Sequence, residues 1–504
     1  MSPVPLRIEK LESDLDASLA AIRRHLGAPE CRIRASREAL EHAMSTGAAL
    51  YGVNTGFGAL KGVRIGDEKL ETLQHNLLRS HAVGMGEPIE PAISRRMLRL
   101  KVHALGLGYS GVSVELVDRL LAMLDHDLVP VVPCQGSLGA SGDLAPLAHL
   151  ALPLIGEGEV WEGDERIPAA EALRDRGLEP LVLGAKEGIA LINGTQFMAA
   201  HLAEVVARSA RLATSADVVA AMTLEALRGS ARPFEAAVQA VRPHPGAIAS
   251  ASNVCALLAG SEIGPSHADC GKVQDPYSVR CVPPVHGASR DAMAYVASVL
   301  EVEVNSVTDN PLVLEGGDVV SAGAFHGQPL ALAADMASIA VAEWASVSER
   351  RTYLLLDGLD DLPPFLLRES GLNSGFMMPQ YLAAALVSEN KTLAHPASVD
   401  SIPSSRNQED HVSMGAWGAR KALRIVENAE RVLGVEALCA AQALELRRPL
   451  RAGRGVEAAL DAIRERIPFR EADRPFEADL RAAADLVRSG ALAEAPRRTG
   501  ADLV

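Results

Sequence analysis

Ala140, Ser141 and Gly142 lie in the window Gly136-Ser137-Leu138-Gly139-Ala140-Ser141-Gly142-Asp143-Leu144-Ala145-Pro146. Its small residues let the backbone fold back where larger ones would clash. In such a fold the amide nitrogen of Gly142 can approach the carbonyl carbon of Ala140. Attack and loss of water close a five-membered ring, and loss of a second water from Ser141 leaves an exocyclic methylene. The product is an imidazolone electrophile made wholly from the chain. The competing reading is a plain glycine-rich turn, because an Ala-Ser-Gly tripeptide arises by chance in a chain this long roughly once in five.

Other polar residues stand at breaks in the pattern. Tyr51-Gly52-Val53-Asn54-Thr55-Gly56-Phe57-Gly58 carries three glycines around Asn and Thr and reads as an irregular loop, either functional or a connector with Tyr51 buried. His81 sits near the end of a helical pattern, where a lone histidine is more often a cap or surface residue than a catalyst. Asn193-Gly194-Thr195 has the form of a glycosylation sequon; without a secretion signal its better use is as an amide donor at the start of a long helix, facing a developing anion. Arg280 follows a Pro-Tyr turn and has the fork for a bidentate carboxylate clamp, with a surface salt bridge as the alternative. Glu409, Asp410 and His411 are adjacent and so do not share a helix face, which makes a poor metal site; one carboxylate serving a substrate fits better. Gly106-Leu107-Gly108-Tyr109-Ser110-Gly111 matches a dinucleotide fingerprint on paper, but Arg95 to Val102 before it reads as amphipathic helix, and the motif has meaning only after a strand.

The elements that must hold these residues are helices. Hydrophobic residues make up 48% of the 504 and aromatics only 3%, so the apolar fraction leans on Ala, Leu and Val. That favours closely packed helices over an aromatic-rich sandwich. Ser36 to Met44 reads as a capped helix, and residues 68 to 83 as another. Thr195 to Arg228, Ala288 to Asn310 and Leu330 to Asp357 run without Gly or Pro; Gln380 to His395 and Ala419 to Leu433 are shorter versions. The Ala- and Arg-rich tail from Arg481 is expected to fray. The expected fold is mainly α: a mixed N-terminal portion, 1–110, carrying site loops, then a bundle of long helices over 111–504.

Net charge is −15, with 49 basic and 64 acidic residues, which argues against a nucleic-acid surface. Met1 to Lys10 has no apolar core of a signal peptide, and no uncharged apolar run reaches membrane-spanning length. The cysteines, Cys31, Cys134, Cys255, Cys270, Cys281 and Cys439, are scattered without a Cys-x-x-Cys pair, so neither disulfides nor zinc are indicated and a reducing cytoplasm is the expected location.

From about Leu40 to beyond Leu450 the chain resembles the aromatic amino acid ammonia-lyases, most closely their histidine-specific branch. The resemblance rests on Tyr51 to Gly58, Gly136 to Ala148, Gln274-Asp275-Pro276-Tyr277-Ser278-Val279-Arg280-Cys281, Asn373-Ser374-Gly375-Phe376-Met377, and Asn407-Gln408-Glu409-Asp410-His411-Val412-Ser413-Met414, in order and spacing. It implies a fumarase/aspartase-like fold and elimination of ammonia from L-histidine to trans-urocanate, with a methylidene-imidazolone cyclised from Ala140, Ser141 and Gly142 and no metal or nucleotide. It also implies that Asp143 and Phe325 assist or shape the cyclisation and that Asn193 hydrogen-bonds the ring oxygen. Arg280 would hold the substrate carboxylate. Tyr277 and Gln274 would line the site, and His81 and Glu409 would contact the imidazole or amine. Tyr51 is the candidate β-proton base, a role that needs a lowered phenol pKa, with Glu409 as the alternative. The pair Ser80-His81 matches the histidine enzymes, where tyrosine enzymes tend to carry His-Leu and phenylalanine enzymes Phe-Leu.

The family commonly has Asn before the Phe-His pair; here Ala324 removes a potential hydrogen bond near the ring. Arg406 stands where smaller residues are usual. The resemblance further implies a homotetramer whose active sites draw on more than one subunit, with no nucleic-acid or membrane partner. The competing functions are a tyrosine or phenylalanine lyase or aminomutase with the same electrophile, and an inactive helical scaffold.

Overall fold

Ala-rich segments without breakers become long helices. In this computed structural model, which describes residues 4–268 and 271–504, the longest are Gln196–Ala226, Val282–Val304, Gln328–Leu356 and Gly415–Glu445. At 31 residues, the first spans ~47 Å. Strands are few and short. Met85–Pro88 pairs antiparallel with Pro133–Gln135. Val129–Pro130, Glu159–Glu162 and Glu165–Pro168 form a three-stranded antiparallel sheet, and Leu312–Val313 pairs with Val319–Val320. The fold is mainly α.

The chain divides into two compact units, neither contiguous in sequence. The first contains residues up to Glu204, Ala297–Asp335 and Pro396–Arg420; the second contains Val205–Val296, Met336–His395 and Lys421–Val504. The boundary expected near residue 110 therefore falls inside the first unit. Each long helix has residues in both.

In the first unit, Leu40, Val53, Leu70, Ala185 and Val313 form a buried cluster that anchors the Tyr51 loop through Val53. The loop also bonds itself: Leu50 N donates to Asn54 Oδ1 at 2.8 Å, and Asn54 Nδ2 donates to Ala48 O at 2.9 Å. In the second unit the long helices are tied by buried ion pairs. Arg208 and Glu430 meet at 2.6 Å and Arg351 and Glu436 at 2.6 Å, while His286, whose pKa burial lowers, hydrogen-bonds Asp217 through Nδ1 at 2.7 Å. Removing one partner of either ion pair strands the other and costs about 3–5 kcal/mol.

Several elements differ from the sequence expectation. The Arg32–Ser45 helix begins four residues before Ser36, because Ile33 joins Leu40 on its buried face. Ser36 is not its cap; its Oγ donates back to Ile33 O. The Val282–Val304 helix starts six residues before Ala288. Pro283 and Pro284 fall in its first turn, where a missing N–H is no loss. Gly287 inside it lets Ala247 approach, since a Cβ there would lie 2.3 Å from Ala247 N. Gly434 does the same for Ala484 within Gly415–Glu445, so that helix runs past Leu433 to Glu445. The tail does not fray: Glu477–Arg488 and Ala491–Arg498 are helical, and Val504 N donates to Asn253 Oδ1 at 2.9 Å.

Gln328–Leu356 is long and apolar enough to cross a membrane, and most of its apolar stretch is buried in the structure. Among the described residues Cys31, Cys134, Cys255, Cys281 and Cys439 are free thiols; Cys270 lies outside them.

Candidate active site

Ala140, Ser141 and Gly142 form a loop pinned on both sides. Gly142 is left-handed (φ +75°) and bridges Gly194; a Cβ there would lie 2.0 Å from Gly194 O. Only glycine permits that approach. Asp143 N donates to the same carbonyl at 2.7 Å, and Met414 N donates to Leu138 O at 2.9 Å. Ser137 Oγ donates to Gly142 O at 3.3 Å. The Ser141 hydroxyl makes no described hydrogen bond and lines a cavity. A bare Gly142, a pinned turn and a free Ser141 hydroxyl are what backbone cyclisation needs, so the residues fit the ring.

Asp143 is fully buried. Burial pushes its carboxyl up to about 7, opposed by backbone amides of Met198 and Phe197. Its Oδ2 accepts from Met198 N at 3.0 Å, while Oδ1 has no partner among the described residues. A carboxyl titrating near neutrality beside the loop can carry a proton to or from it.

The cavity, about 540 Å³, is walled by the first unit. Tyr51, His81, Ser141, Asn193 and Glu409 all line it. Asn193 ends the short Glu187–Ile192 helix, and its Nδ2 donates to Asn310 O at 2.9 Å. An amide nitrogen has two N–H groups, so one remains for a ligand. Tyr51 Oη accepts from Gly58 N at 3.1 Å, and its ring meets Phe57 edge-on at 6.3 Å. Burial pushes the Tyr51 phenol above its ordinary value; the Gly58 amide offsets this in part, while Glu409 adds to it. The lowered phenol pKa that a base role for Tyr51 needs is thus not found, because no cation among the described residues offsets the desolvation.

His81 closes the Leu70–His81 helix. Its Nδ1 lies 2.8 Å from Leu77 O, and a carbonyl only accepts, so Nδ1 carries the proton and Nε2 keeps its lone pair. Burial lowers its pKa, which keeps it neutral at pH 7. Glu409 is held by the turn before it: Ser404 Oγ donates to its Oε2, and Ser404 N donates to its backbone O at 3.0 Å. Between them Ser405, Arg406 and Asn407 are all left-handed (φ 48°, 57° and 63°). Ser405 Oγ accepts from Ala59 N at 3.0 Å, joining this turn to the glycine loop. The Arg406 side chain is exposed, and nothing in the structure explains its size.

The other predicted residues lie elsewhere. Gln274, Tyr277 and Arg280 belong to the second unit. There Gln274 is exposed and Tyr277 is 72% exposed. Arg280 Nε donates to Asp275 O at 2.9 Å, and its guanidinium sits 4.6 Å from the Tyr277 ring centroid. Phe325 is half-buried in the first unit and does not line the cavity.

Sequence reading missed Ser404, which holds Glu409, Ser405, which ties that turn to the glycine loop, and Leu77 and Ile192 in the cavity wall. It also missed Lys101. Met97, Lys101 and Leu105 follow one another at four-residue steps and are all buried, so a lysine on an apolar stripe was the available signal.

Residues 26–465 match the family described as aromatic amino acid lyase. A histidine ammonia-lyase of Deinococcus radiodurans is 56% identical over 453 residues, covering 89% of this chain and 86% of that protein. The crystal structure of histidine ammonia-lyase from Trypanosoma cruzi shares 43% identity at a TM-score of 0.85, covering 94% of this chain and 90% of that one. A tyrosine aminomutase from Streptomyces globisporus is similar at a TM-score of 0.88 and 36% identity, covering 95% of this chain and 97% of that one.

Proposed function

The chain belongs to the aromatic amino acid lyase family, and from that premise we propose that it is a carbon–nitrogen lyase removing ammonia from L-histidine to give trans-urocanate, the first step of histidine breakdown. The observation that carries the reading is one cavity lined by Ser141, Asn193, Tyr51, His81 and Glu409. The methylidene-imidazolone from Ala140, Ser141 and Gly142 supplies an electrophile that makes the substrate amine a better leaving group.

The chain's own residues do the rest. The free N–H of Asn193 Nδ2 donates toward the ring oxygen. Arg280 holds the substrate carboxylate, with Tyr277 and Gln274 beside it; Phe325 and Asp143 shape ring formation. His81 Nε2 accepts from the substrate imidazole, and Glu409 accepts from the imidazole or the amine. The working enzyme is a cytoplasmic homotetramer with shared sites, free of nucleic acid and membrane.

A tyrosine aminomutase reading is favoured by fold similarity alone. Against it, the histidine ammonia-lyase of Deinococcus radiodurans is 56% identical where the tyrosine aminomutase is 36%; a phenylalanine ring would leave His81 Nε2 and Glu409 without ring partners, at roughly 1–3 kcal/mol each. Urocanate, coumarate and cinnamate formation from the three amino acids decides the matter. Urocanate is expected to form fastest, and His81→Leu to reduce that preference by roughly tenfold or more. Faster coumarate or cinnamate formation by the unaltered enzyme rejects histidine as the substrate.

The base is identified by pH. Tyr51 is held above its ordinary value, so its phenolate is scarce at pH 7 and rises about tenfold per pH unit below its pKa. With Tyr51 as base, kcat/KM climbs with that slope from pH 7 to 9, and Tyr51→Phe removes most of the rate together with the phenolate-dependent part of the slope. A Tyr51→Phe variant that keeps both rate and slope transfers the role to Glu409.

A further inference from the structure

We infer that Lys101 is a positioning residue for Asn193, gripping the peptide from behind so that the amide faces the ring in one orientation. The inference rests on the electrophile reading above.

Lys101 lies on the Pro91–Gly106 helix and is 3% exposed. Its Nζ donates to Asn193 O at 2.5 Å and to Ala190 O at 3.1 Å. These carbonyls sit at the C-terminal end of the Glu187–Ile192 helix, where a cation complements the partial negative charge. The opposite end is gripped as well. Lys186, just before that helix and fully buried, meets Asp309 Oδ2 at 2.6 Å. Asp309 Oδ1 accepts from Asn310 N at 2.6 Å, and Asn310 O accepts one N–H of Asn193 Nδ2 at 2.9 Å. Gly194 O, one residue on, takes the amide of Asp143.

Asn193 is thus fixed through its carbonyl by Lys101 and through one amide hydrogen by Asn310. In a planar amide, fixing one N–H fixes the direction of the other. Neither lysine lines the cavity, so neither is positioned to touch substrate. Burial drives the Lys101 pKa down to about 7, so the amine is partly neutral near pH 7; with two N–H groups or three it serves both carbonyls in either form. An apolar side chain would avoid the desolvation penalty but strand two buried carbonyls and release Asn193.

The test separates the amount of ring from its reactivity. Cyanide, a small nucleophile, bleaches the ring's ultraviolet absorbance; the amplitude reports ring content and the rate constant reports electrophilicity. In Lys101→Met the bleaching rate constant and kcat are expected to fall together by about tenfold or more, with KM for histidine changed less than about threefold. Lys101→Gln, which restores a donor, is expected to recover part of both. Asn193→Ala is expected to show the same signature, and Lys101→Met to add little in that background. A bleaching rate constant equal to the unaltered enzyme's, with only the amplitude reduced, overturns the inference. If Lys101→Met does not fold, Lys101→Gln carries the same comparison. An unaltered enzyme with no cyanide-sensitive absorbance overturns the electrophile reading itself, whereas normal bleaching there and in both Lys101 variants overturns only the role of Lys101.

Discussion

Ser141→Ala is expected to abolish all but a trace of turnover while leaving the fold intact. The hydroxyl of Ser141 must leave as water to create the methylene, and alanine has nothing to lose. The rest of the loop has no need of that oxygen: it makes no described hydrogen bond, and the turn is held by Asp143 N on Gly194 O and Met414 N on Leu138 O. Stability is therefore expected to stay within about 0.5 kcal/mol, as for a substitution away from buried networks. Intact mass checks the chemistry directly. The unaltered protein should be lighter than its sequence by two waters, a deficit the variant cannot reach. Near-normal turnover in Ser141→Ala, or an unaltered protein at its full sequence mass, ends the electrophile reading.

Arg280→Lys should cost about 2–3 kcal/mol in transition-state binding, roughly 30- to 150-fold in kcat/KM, although the charge is kept. Arg280 Nε is committed to Asp275 O, and the guanidinium stacks near Tyr277, which leaves the two Nη groups as a flat pair suited to a carboxylate. An ammonium on a flexible stem reproduces neither the stacking nor the second parallel bond. Steady-state kinetics with histidine tests this; a lysine variant with unchanged kcat/KM gives Arg280 a purely structural role.

The parts of the site that could be read from sequence are those where glycine and polar residues interrupt helical patterns. The Tyr51 loop, the Ala140 to Asp143 window and the Asn193 break are all of this kind, because a backbone that must turn or approach another closely leaves a mark in residue type. The turn before Glu409 left a fainter mark: Ser405 and Arg406 adopt left-handed conformations without the glycine that would announce them. Helix bounds were less legible where tertiary contact overrides local preference. Gly287 and Gly434 look like breaks, yet each is where another backbone comes too close for a side chain. Lys101 was hidden because a lysine normally marks the wet face of a helix, and the carbonyls it meets lie some ninety residues further along. The direction of the Tyr51 phenol shift depends on burial and on which charges surround it, information that one residue's identity does not contain.

The contact between Gly142 and Gly194 sets limits on how such a site can diversify. Neither glycine can acquire a side chain alone: at Gly142 it would strike the Gly194 carbonyl, and at Gly194 it would strike the Gln196 side chain at 2.4 Å. Nor do the two obstacles compensate, since the first is backbone and no substitution moves it away. The floor behind Ser141 and Asn193, the neighbours of these glycines that do line the cavity, is therefore closed to gradual change. The rim is not. Ser80 and His81 end a helix beside the opening, and the Glu409 turn is largely exposed, so both can vary one residue at a time without disturbing the floor. A lineage with this architecture can exchange one aromatic amino acid for another by rewriting a few rim positions, while the chemistry beneath it passes on unaltered.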